Sequence, residues 1–321
     1  MAQHFLLSPA ARTLSLAKVL RMTDKQAEEA FRAIRWHETD GAPVCPVCGG
    51  MSHYDLASRP VWKCKSCSKQ FSLTSGTVFH SRKLKLRDIL GAIAIFTNGA
   101  KGYSALQLSR DLGCDYKSAF VLLHKIRESI ELARAEGALK GDVELDGAYF
   151  GGHVRPENRK EDRKDRRLAE NQSGKRQVVV VARERQGRTL TTVAKSEAAG
   201  VAFAKKSIAK GSTVHADEAS HWDQLAANFP IKRVNHQVEY SAADGACTNQ
   251  AESFFSRMRR AEIGIHHHIA GVYLQAYATE MAWREDARRQ SNGNQFAMLV
   301  SAAATAPKSA QWCGYWQRRT F

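Results

Sequence analysis

The stretch Gly141-Asp142-Val143-Glu144-Leu145-Asp146-Gly147-Ala148-Tyr149-Phe150-Gly151-Gly152 is where the chain changes character. Before it, apolar residues recur at helical spacing; after it, β-branched runs alternate with short helical patterns. Side chains of a strand alternate faces, so Asp142, Glu144, Asp146 and Ala148 fall on one side. Val143, Leu145, Gly147 and Tyr149 fall on the other. A carboxylate row on an otherwise apolar strand is costly to bury unless it is paired or bound to a metal. For Asp142 and Glu144 the simplest expectation is an exposed sheet face. Asp146 stands apart, because it precedes Gly147 and the Gly151-Gly152 turn near the middle of its segment.

Forward of this strand, the pattern predicts strands at 177–182 and 189–194, a helix at 197–209 and a strand at 213–217. A helix at 219–229, a short strand at 231–234 and a long helix from 249 follow. Three consecutive strands, then helix and strand in alternation, is the order expected of an RNase H-like domain. Asp217 closes Thr213-Val214-His215-Ala216-Asp217 at a strand-to-helix junction, where an aspartate also serves as an N-cap. Asn249 and Glu252 can be read as a capping box. Against that, Ala251, Phe254, Phe255 and Met258 form a buried stripe, which leaves Asn249, Glu252, Ser256 and Arg259 on a separate polar face. Thirty-four residues lie between Asp217 and Glu252, and Arg259 follows Glu252 by seven. Carboxylates on separate elements, the last followed two helical turns later by a base, suit two-metal phosphoryl transfer. Hard divalent cations take carboxylate oxygens, and in-line attack on a phosphodiester needs both entering and leaving oxygens neutralised.

Backward of the strand, Cys45 and Cys48, then Cys64 and Cys67, repeat C-x2-C across fifteen residues. That spacing presents four thiolates to one tetrahedral Zn²⁺, as in a zinc ribbon. Cys114, Cys247 and Cys313 stand singly, unlike a secretory disulfide framework. Thr23-x-x-Gln26 opens an amphipathic helix with Ala27, Ala30, Phe31 and Ile34 on one face, expected to pack on the ribbon. Residues 82–135 read as helices, with Ser104 and Asp115 as caps and Gly113 as a stop. The short turn at 112–115 suits a helix-turn-helix unit, whose second helix would offer Tyr116, Lys117, Ser118, Lys125 and Arg127 to DNA. A helical hairpin that merely packs on the next domain is the alternative.

The 321 residues carry 48 Lys and Arg against 32 Asp and Glu, a net charge of +16. Such an excess points to a polyanionic partner. The apolar runs are too short to span a bilayer, and Pro9, Arg12, Lys18 and Arg21 interrupt any signal-peptide core in residues 1–22. A soluble protein of a reducing compartment is expected. Residues 153–176 hold nine Lys and Arg with five Asp and Glu and no apolar stripe, a solvated loop able to follow a DNA backbone. The triplet His266-His267-His268 reads as a turn or DNA-contact segment, because adjacent residues cannot all face one ion, and Glu280 with Arg284 reads as a surface i,i+4 pair.

In order and spacing, several motifs together resemble the bacterial insertion-sequence transposases that join an N-terminal zinc ribbon to an RNase H-like DDE domain. They are Arg35-Trp36, Asp40-Gly41 and Cys-Pro-x-Cys-Gly; Leu-Asp-Gly-Ala-Tyr-Phe-Gly-Gly at 145–152; and Val-His-Ala-Asp at 214–217. Val234-Asn235-His236, Thr-Asn-Gln-Ala-Glu-Ser-Phe-Phe at 248–255, Tyr277-x-x-Glu280 and Arg284 complete the set. The resemblance implies that Asp146 and Asp217 hold two Mg²⁺ or Mn²⁺ ions and that Glu252, or Asn249, completes the site. Arg259 stands where such proteins more often have Lys, Gly147 where they often have an acid, and Cys247 where they often have His.

The resulting expectation is an α+β / α/β multidomain chain. It comprises an N-terminal helical segment (1–40), a zinc ribbon (41–80), a helix-turn-helix-like domain (81–138), an RNase H-like mixed-sheet catalytic domain (139–290) and a basic C-terminal tail (291–321). The implied activity is metal-dependent strand cleavage and transfer on double-stranded DNA, at terminal repeats and target DNA. A homo-oligomer on DNA, cytoplasmic and nucleoid-associated, with no membrane partner, is implied as well. A catalytically inactive DNA-binding regulator and a structure-specific nuclease on the same fold are the alternatives.

Overall fold

In chain order the helices of the computed structural model are α1 (Leu16–Leu20), α2 (Asp24–Arg35), α3 (Leu86–Asn98), α4 (Ala105–Leu112) and α5 (Tyr116–Leu132). They continue with α6 (Gly200–Ser207), α7 (Asn249–Ala261), α8 (Leu274–Ala287) and α9 (Asn292–Thr305). The strands are β1 (His53–Asp55), β2 (Val61–Cys64), β3 (Gln70–Ser72), β4 (Asp142–Phe150), β5 (Gln177–Glu184), β6 (Thr189–Ala194), β7 (Thr213–Asp217) and β8 (Ile231–Val234). The structure describes residues 4–56, 58–134, 136–151, 157, 159–164, 176–234 and 245–315. Most of the basic stretch 153–176, and Asn235 and His236, lie outside these residues. No described helix is long and apolar enough to cross a membrane. Contacts divide the chain into two units, Met1–Arg134 with Ala287–Phe321, and Ala135–Asp286.

In the first unit α2 starts with the capping box its sequence predicts. The Thr23 hydroxyl accepts from the Gln26 N–H, and the Gln26 side chain accepts from the Thr23 N–H at 2.9 Å. Its buried Ala27 and Phe31 face inward, and Arg35 donates to the backbone carbonyls of Leu73 and Ser75 just past β3. The antiparallel sheet β1-β2-β3 sets Trp62 opposite Phe71, and Trp36 meets Trp62 edge-on at 5.6 Å. This ring contact and the Arg35 bonds make helix and ribbon one packed body, since strands of three or four residues have little core of their own. Helix α3 is buried along most of its length, because Ile89, Leu90, Ile93 and Phe96 leave no polar face to expose. Ser104 caps α4 by accepting the Gln107 N–H at 3.1 Å, and Gly113, with φ 60°, ends it in the left-handed conformation. Asp115 precedes α5 without a side-chain cap bond.

Beyond residue 290 the chain is not simply a basic tail. Ser291 caps α9, which buries Leu299, Val300 and Ala302–Ala304 and packs on α2, α3 and α5. Its small residues let the backbone approach closely, a signal that alanine richness carries only weakly in sequence. Trp312 and Tyr315 are buried after it, with the Trp312 ring stacked on His124 at 4.3 Å.

The second unit is a five-stranded sheet in the order β6-β5-β4-β7-β8. β6, β5 and β4 pair antiparallel, and β4, β7 and β8 pair parallel. One face packs Val143, Leu145, Val180 and Val214 against Val201 and Ala204 of α6, with Trp222 and Leu225. The other packs Ala148, Phe150, Val179 and Val181 against Ala251, Phe254, Phe255 and Met258 of α7 and against Leu274, Ala278 and Met281 of α8. β5 is buried on both faces, which is why it reads as an unbroken valine run. The architecture is the mixed-sheet multidomain fold expected from the strand order, with two local differences. The predicted helix at 219–229 is a 3₁₀ segment, Ser220–Leu225, and the one at 197–209 is a 3₁₀ turn, Glu197–Ala199, leading into α6. Phe254→Ala is expected to cost about 3–5 kcal/mol in urea unfolding, because it empties the seam between α7 and the sheet. A loss below about 1 kcal/mol would mean that α7 is not held there.

Candidate active site and metal centre

Two knuckles of similar backbone build the cysteine centre. In the first, Gly49 N–H donates to the Cys45 carbonyl at 2.9 Å; in the second, Ser68 N–H donates to the Cys64 carbonyl at 3.0 Å. Gly49 and Ser68 both adopt positive φ, 71° and 59°. The four sulfurs of Cys45, Cys48, Cys64 and Cys67 lie within 4.8 Å of one another, with Cys45–Cys67 at 3.6 Å and Cys48–Cys64 at 3.5 Å. Zn–S bonds of ~2.3 Å in a tetrahedron require sulfur separations of ~3.8 Å, so the donor set fits Zn²⁺. The Cys64 thiol is drawn down to about 6 by the backbone N–H groups of Cys67 and Ser66, which favours the thiolate a metal needs. Among the described residues this is the group gathered tightly enough to enclose one ion.

The carboxylate site lies where β4 and β7 part. Their pairing stops at Glu144 opposite His215, so Asp146 and Asp217, each two residues further on, share a face beyond the last paired position. Asp217 turns its carboxylate to accept the Ala219 N–H at 3.2 Å, and its own carbonyl accepts from Arg233 at 2.5 Å. Helix α7 brings Glu252 from above. A cleft of about 690 Å³ is lined by Asp146, Gly147, Glu252, Ser256, Arg259 and Arg260. Burial pushes the Asp146 carboxyl up to about 7; the Gly147 N–H opposes this, and the charges of Asp217, Glu197 and Glu252 add to it. Carboxylates crowded this way are the hard oxygen donors that suit a divalent cation.

Glu197 is a member that the sequence did not single out. It opens the 3₁₀ turn after β6, where an acid is ordinarily only a favourable first-turn residue, so nothing local marks it. A Cβ added to Gly147 would stand 2.7 Å from the Glu197 Cγ, so this side chain occupies the space that a residue other than glycine would need. Burial and the Asp217 charge raise the Glu197 carboxyl, and His221 Nε2 lies 3.9 Å from it.

Several readings change. Glu144, expected on an exposed face, is 0 % exposed, while Asp142 beside it is open. The capping box at Asn249 does not form: Thr248 holds the N-cap position, Asn249 is the first helical residue, and the carboxylate at the helix start is that of Glu144. Glu280 and Arg284 do pair, at 2.8 Å, but at 1 % and 8 % exposure they are buried and not a surface pair. Of the residues offered to DNA, Tyr116 and Lys117 are exposed and Ser118 is half-buried. Lys125 and Arg127, at 9 % and 1 % exposure, face inward along α5 and have no access to a phosphate backbone. Asn249 is exposed at the start of α7 but does not line the cleft, whereas Glu252 and Arg259 do. His266 is the last residue of a π-helical segment, Glu262–His266, and His267, at φ 58°, leads the chain out of it.

Residues 138–286 match the ISXO2-like transposase domain, and residues 22–70 match the transposase zinc-ribbon domain. These stretches cover the five-stranded sheet with α6, α7 and most of α8, and most of the α2–ribbon body. The chain thus carries two domains of the kind found in insertion-sequence transposases, a transposase zinc ribbon and a DDE transposase domain. Over 151 residues it is also 24 % identical to a Halobacterium salinarum protein described as an uncharacterized protein in transposable element ISH50. That alignment covers 46 % of this chain and 49 % of the relative, so the chain spans about half the length of the protein it matches.

Proposed function

We propose that the protein is a DNA transposase that cleaves and joins strands at the ends of its own mobile element. The observation that carries this reading is that Asp146 and Glu252 share one cleft wall with Arg259 and Arg260, while Asp217, at the end of the neighbouring strand, is close enough for its charge to raise the Asp146 carboxyl. Asp146 and Asp217 hold the catalytic ions and Glu252 completes the set. When bound, Mg²⁺ or Mn²⁺ supplies Lewis acidity to the attacking and leaving oxygens. Arg259 and Arg260 receive the phosphate, and the partly buried Asp146 keeps its carboxylate away from competing water. In cleavage, a water oxygen attacks phosphorus and the bond to the 3′ oxygen breaks, leaving a 3′-hydroxyl. In joining, that hydroxyl attacks a target phosphodiester and displaces another 3′ oxygen, so the number of phosphodiester bonds is conserved. Tyr116, Lys117 and Ser118 at the start of α5 contact terminal-repeat DNA, and the protein acts as a homo-oligomer at the nucleoid.

The test is cleavage of labelled DNA carrying the element's ends, with Mg²⁺ or Mn²⁺, by wild type and Glu252→Gln. Metal-dependent nicking by wild type, reduced at least ~100-fold in the variant, is expected. Nicking that survives the substitution moves the third role to Asn249. Tight binding without nicking by wild type makes the protein a DNA-binding regulator, and nicking without joining makes it a nuclease.

A further inference from the structure

Beneath the carboxylate cluster lies a second polar layer, each member of which sits beside a proposed ligand. Glu144 is two residues before Asp146 on the same face of β4, and His215 is two before Asp217 on β7. Cys247 and Gln250 flank the start of α7, two residues before Asn249 and two before Glu252. One guanidinium ties Glu144, His215 and Cys247 together. Arg185, just past β5, donates from Nε to the Glu144 carboxylate at 3.0 Å. Its Nη2 is shared among the Cys247 carbonyl and sulfur at 3.2 and 2.8 Å, the Gly245 carbonyl at 3.2 Å and His215 Nδ1 at 3.3 Å. An arginine can only donate, so His215 Nδ1 accepts, and Nε2 carries the hydrogen that it gives to Asp142 at 2.8 Å. The other Glu144 oxygen accepts the backbone N–H groups of Gln250 at 2.7 Å and Ala251 at 3.1 Å.

We infer that Glu144 and Arg185 are positioning residues that set the spacing of the three ligand-bearing elements. The inference rests on Asp146, Asp217 and Glu252 being the metal-holding carboxylates. Helix α7 lacks a side-chain cap of its own, and its first-turn N–H groups are satisfied by a carboxylate from the strand that carries Asp146. The separation of Asp146 from Glu252 is therefore set by two hydrogen bonds, and Arg185 carries the same restraint to β7 through His215. A carboxylate buried to 0 % exposure can serve in this way because each of its oxygens has a donor.

The experiment compares zinc-loaded wild type, Glu144→Gln, Arg185→Lys and Asp146→Asn, reading Mn²⁺ binding by titration and, separately, cleavage rate and end-DNA affinity. Glu144→Gln keeps the side chain's shape but weakens its hold on Arg185, and Arg185→Lys keeps the charge but not the fork. Both are expected to bind Mn²⁺ about 10–100-fold more weakly, with cleavage restored in part by excess Mn²⁺ and DNA affinity unchanged. A purely structural role would lower the melting temperature and leave the Mn²⁺ requirement of the folded protein at its wild-type value, which overturns the inference. Should Glu144→Gln not fold, Arg185→Lys carries the comparison. Absence of Mn²⁺ binding in wild type overturns the reading of the carboxylates and this inference with it. Wild-type binding lost in Asp146→Asn but intact in the two positioning variants overturns only the inference.

Discussion

Asp146→Asn is expected to reduce strand cleavage at least ~1000-fold while making the Mg²⁺-free protein more stable. On the proposed function, the loss follows from removing a ligand from a site whose ions would stabilise the transition state by several kcal/mol. The gain follows from the carboxylate's surroundings: burial first, then the charges of Asp217, Glu197 and Glu252, hold Asp146 near 7 instead of its ordinary 3.8. A carboxyl whose folded value is raised binds more protons in the native state, so stability falls as pH rises through that window. The advantage of the asparagine variant should be full above about pH 7 and vanish below about pH 4. Melting curves across that range, on zinc-loaded protein without Mg²⁺, check it. Cleavage at the wild-type rate would remove Asp146 from the site, and a melting temperature several degrees lower at pH 8 would show that its role is structural.

Zinc removal is expected to unfold the ribbon outright. Its strands are three, four and three residues long, and among its described residues from Cys45 to Leu73 the buried apolar side chains are Cys45, Cys64, Phe71 and Leu73. Sites of this type draw an apparent ~10–16 kcal/mol from the metal, far beyond what so small a core supplies. A chelator, or Cys64→Ser, should release the Trp36–Trp62 contact, visible as a change in tryptophan fluorescence, and should free the α2–ribbon body from its fold. The five-stranded sheet has separate cores on its two faces and should keep its strand signal in circular dichroism. Unchanged fluorescence and melting after complete zinc loss would make the four cysteines ordinary thiols with no structural role.

The readable parts of this protein are those encoded by local or periodic chemistry. C-x2-C twice is a short-range pattern, and its spacing alone places four sulfurs around one centre. Thr23 with Gln26, and Ser104 with Gly113, announce helix ends because capping involves residues three apart or a single backbone angle. The period-two pattern of β4 and the apolar stripe of α7 put Asp146, Glu252 and Arg259 on the correct faces, and the cleft contains all three. Lys125 and Arg127 read as DNA contacts because sequence shows their charge and not the direction of their helix face. α9 escaped as a helix because an alanine-rich segment owes its place to the neighbours it packs against, α2, α3 and α5.

By itself, then, the sequence determined the four-cysteine cluster, the order of strands β4 to β8 with the helix α7 that follows, and the strand and helix faces that carry the acidic residues. Only the tertiary structure decided which acids meet. Glu197 joins Asp146 because Gly147 leaves room for it, and Glu144 is buried because the α7 N-terminus and Arg185 converge on it from elements 41 to 107 residues away. Periodicity specifies the face a side chain occupies, but burial and charge partners depend on long-range packing, which no local pattern records.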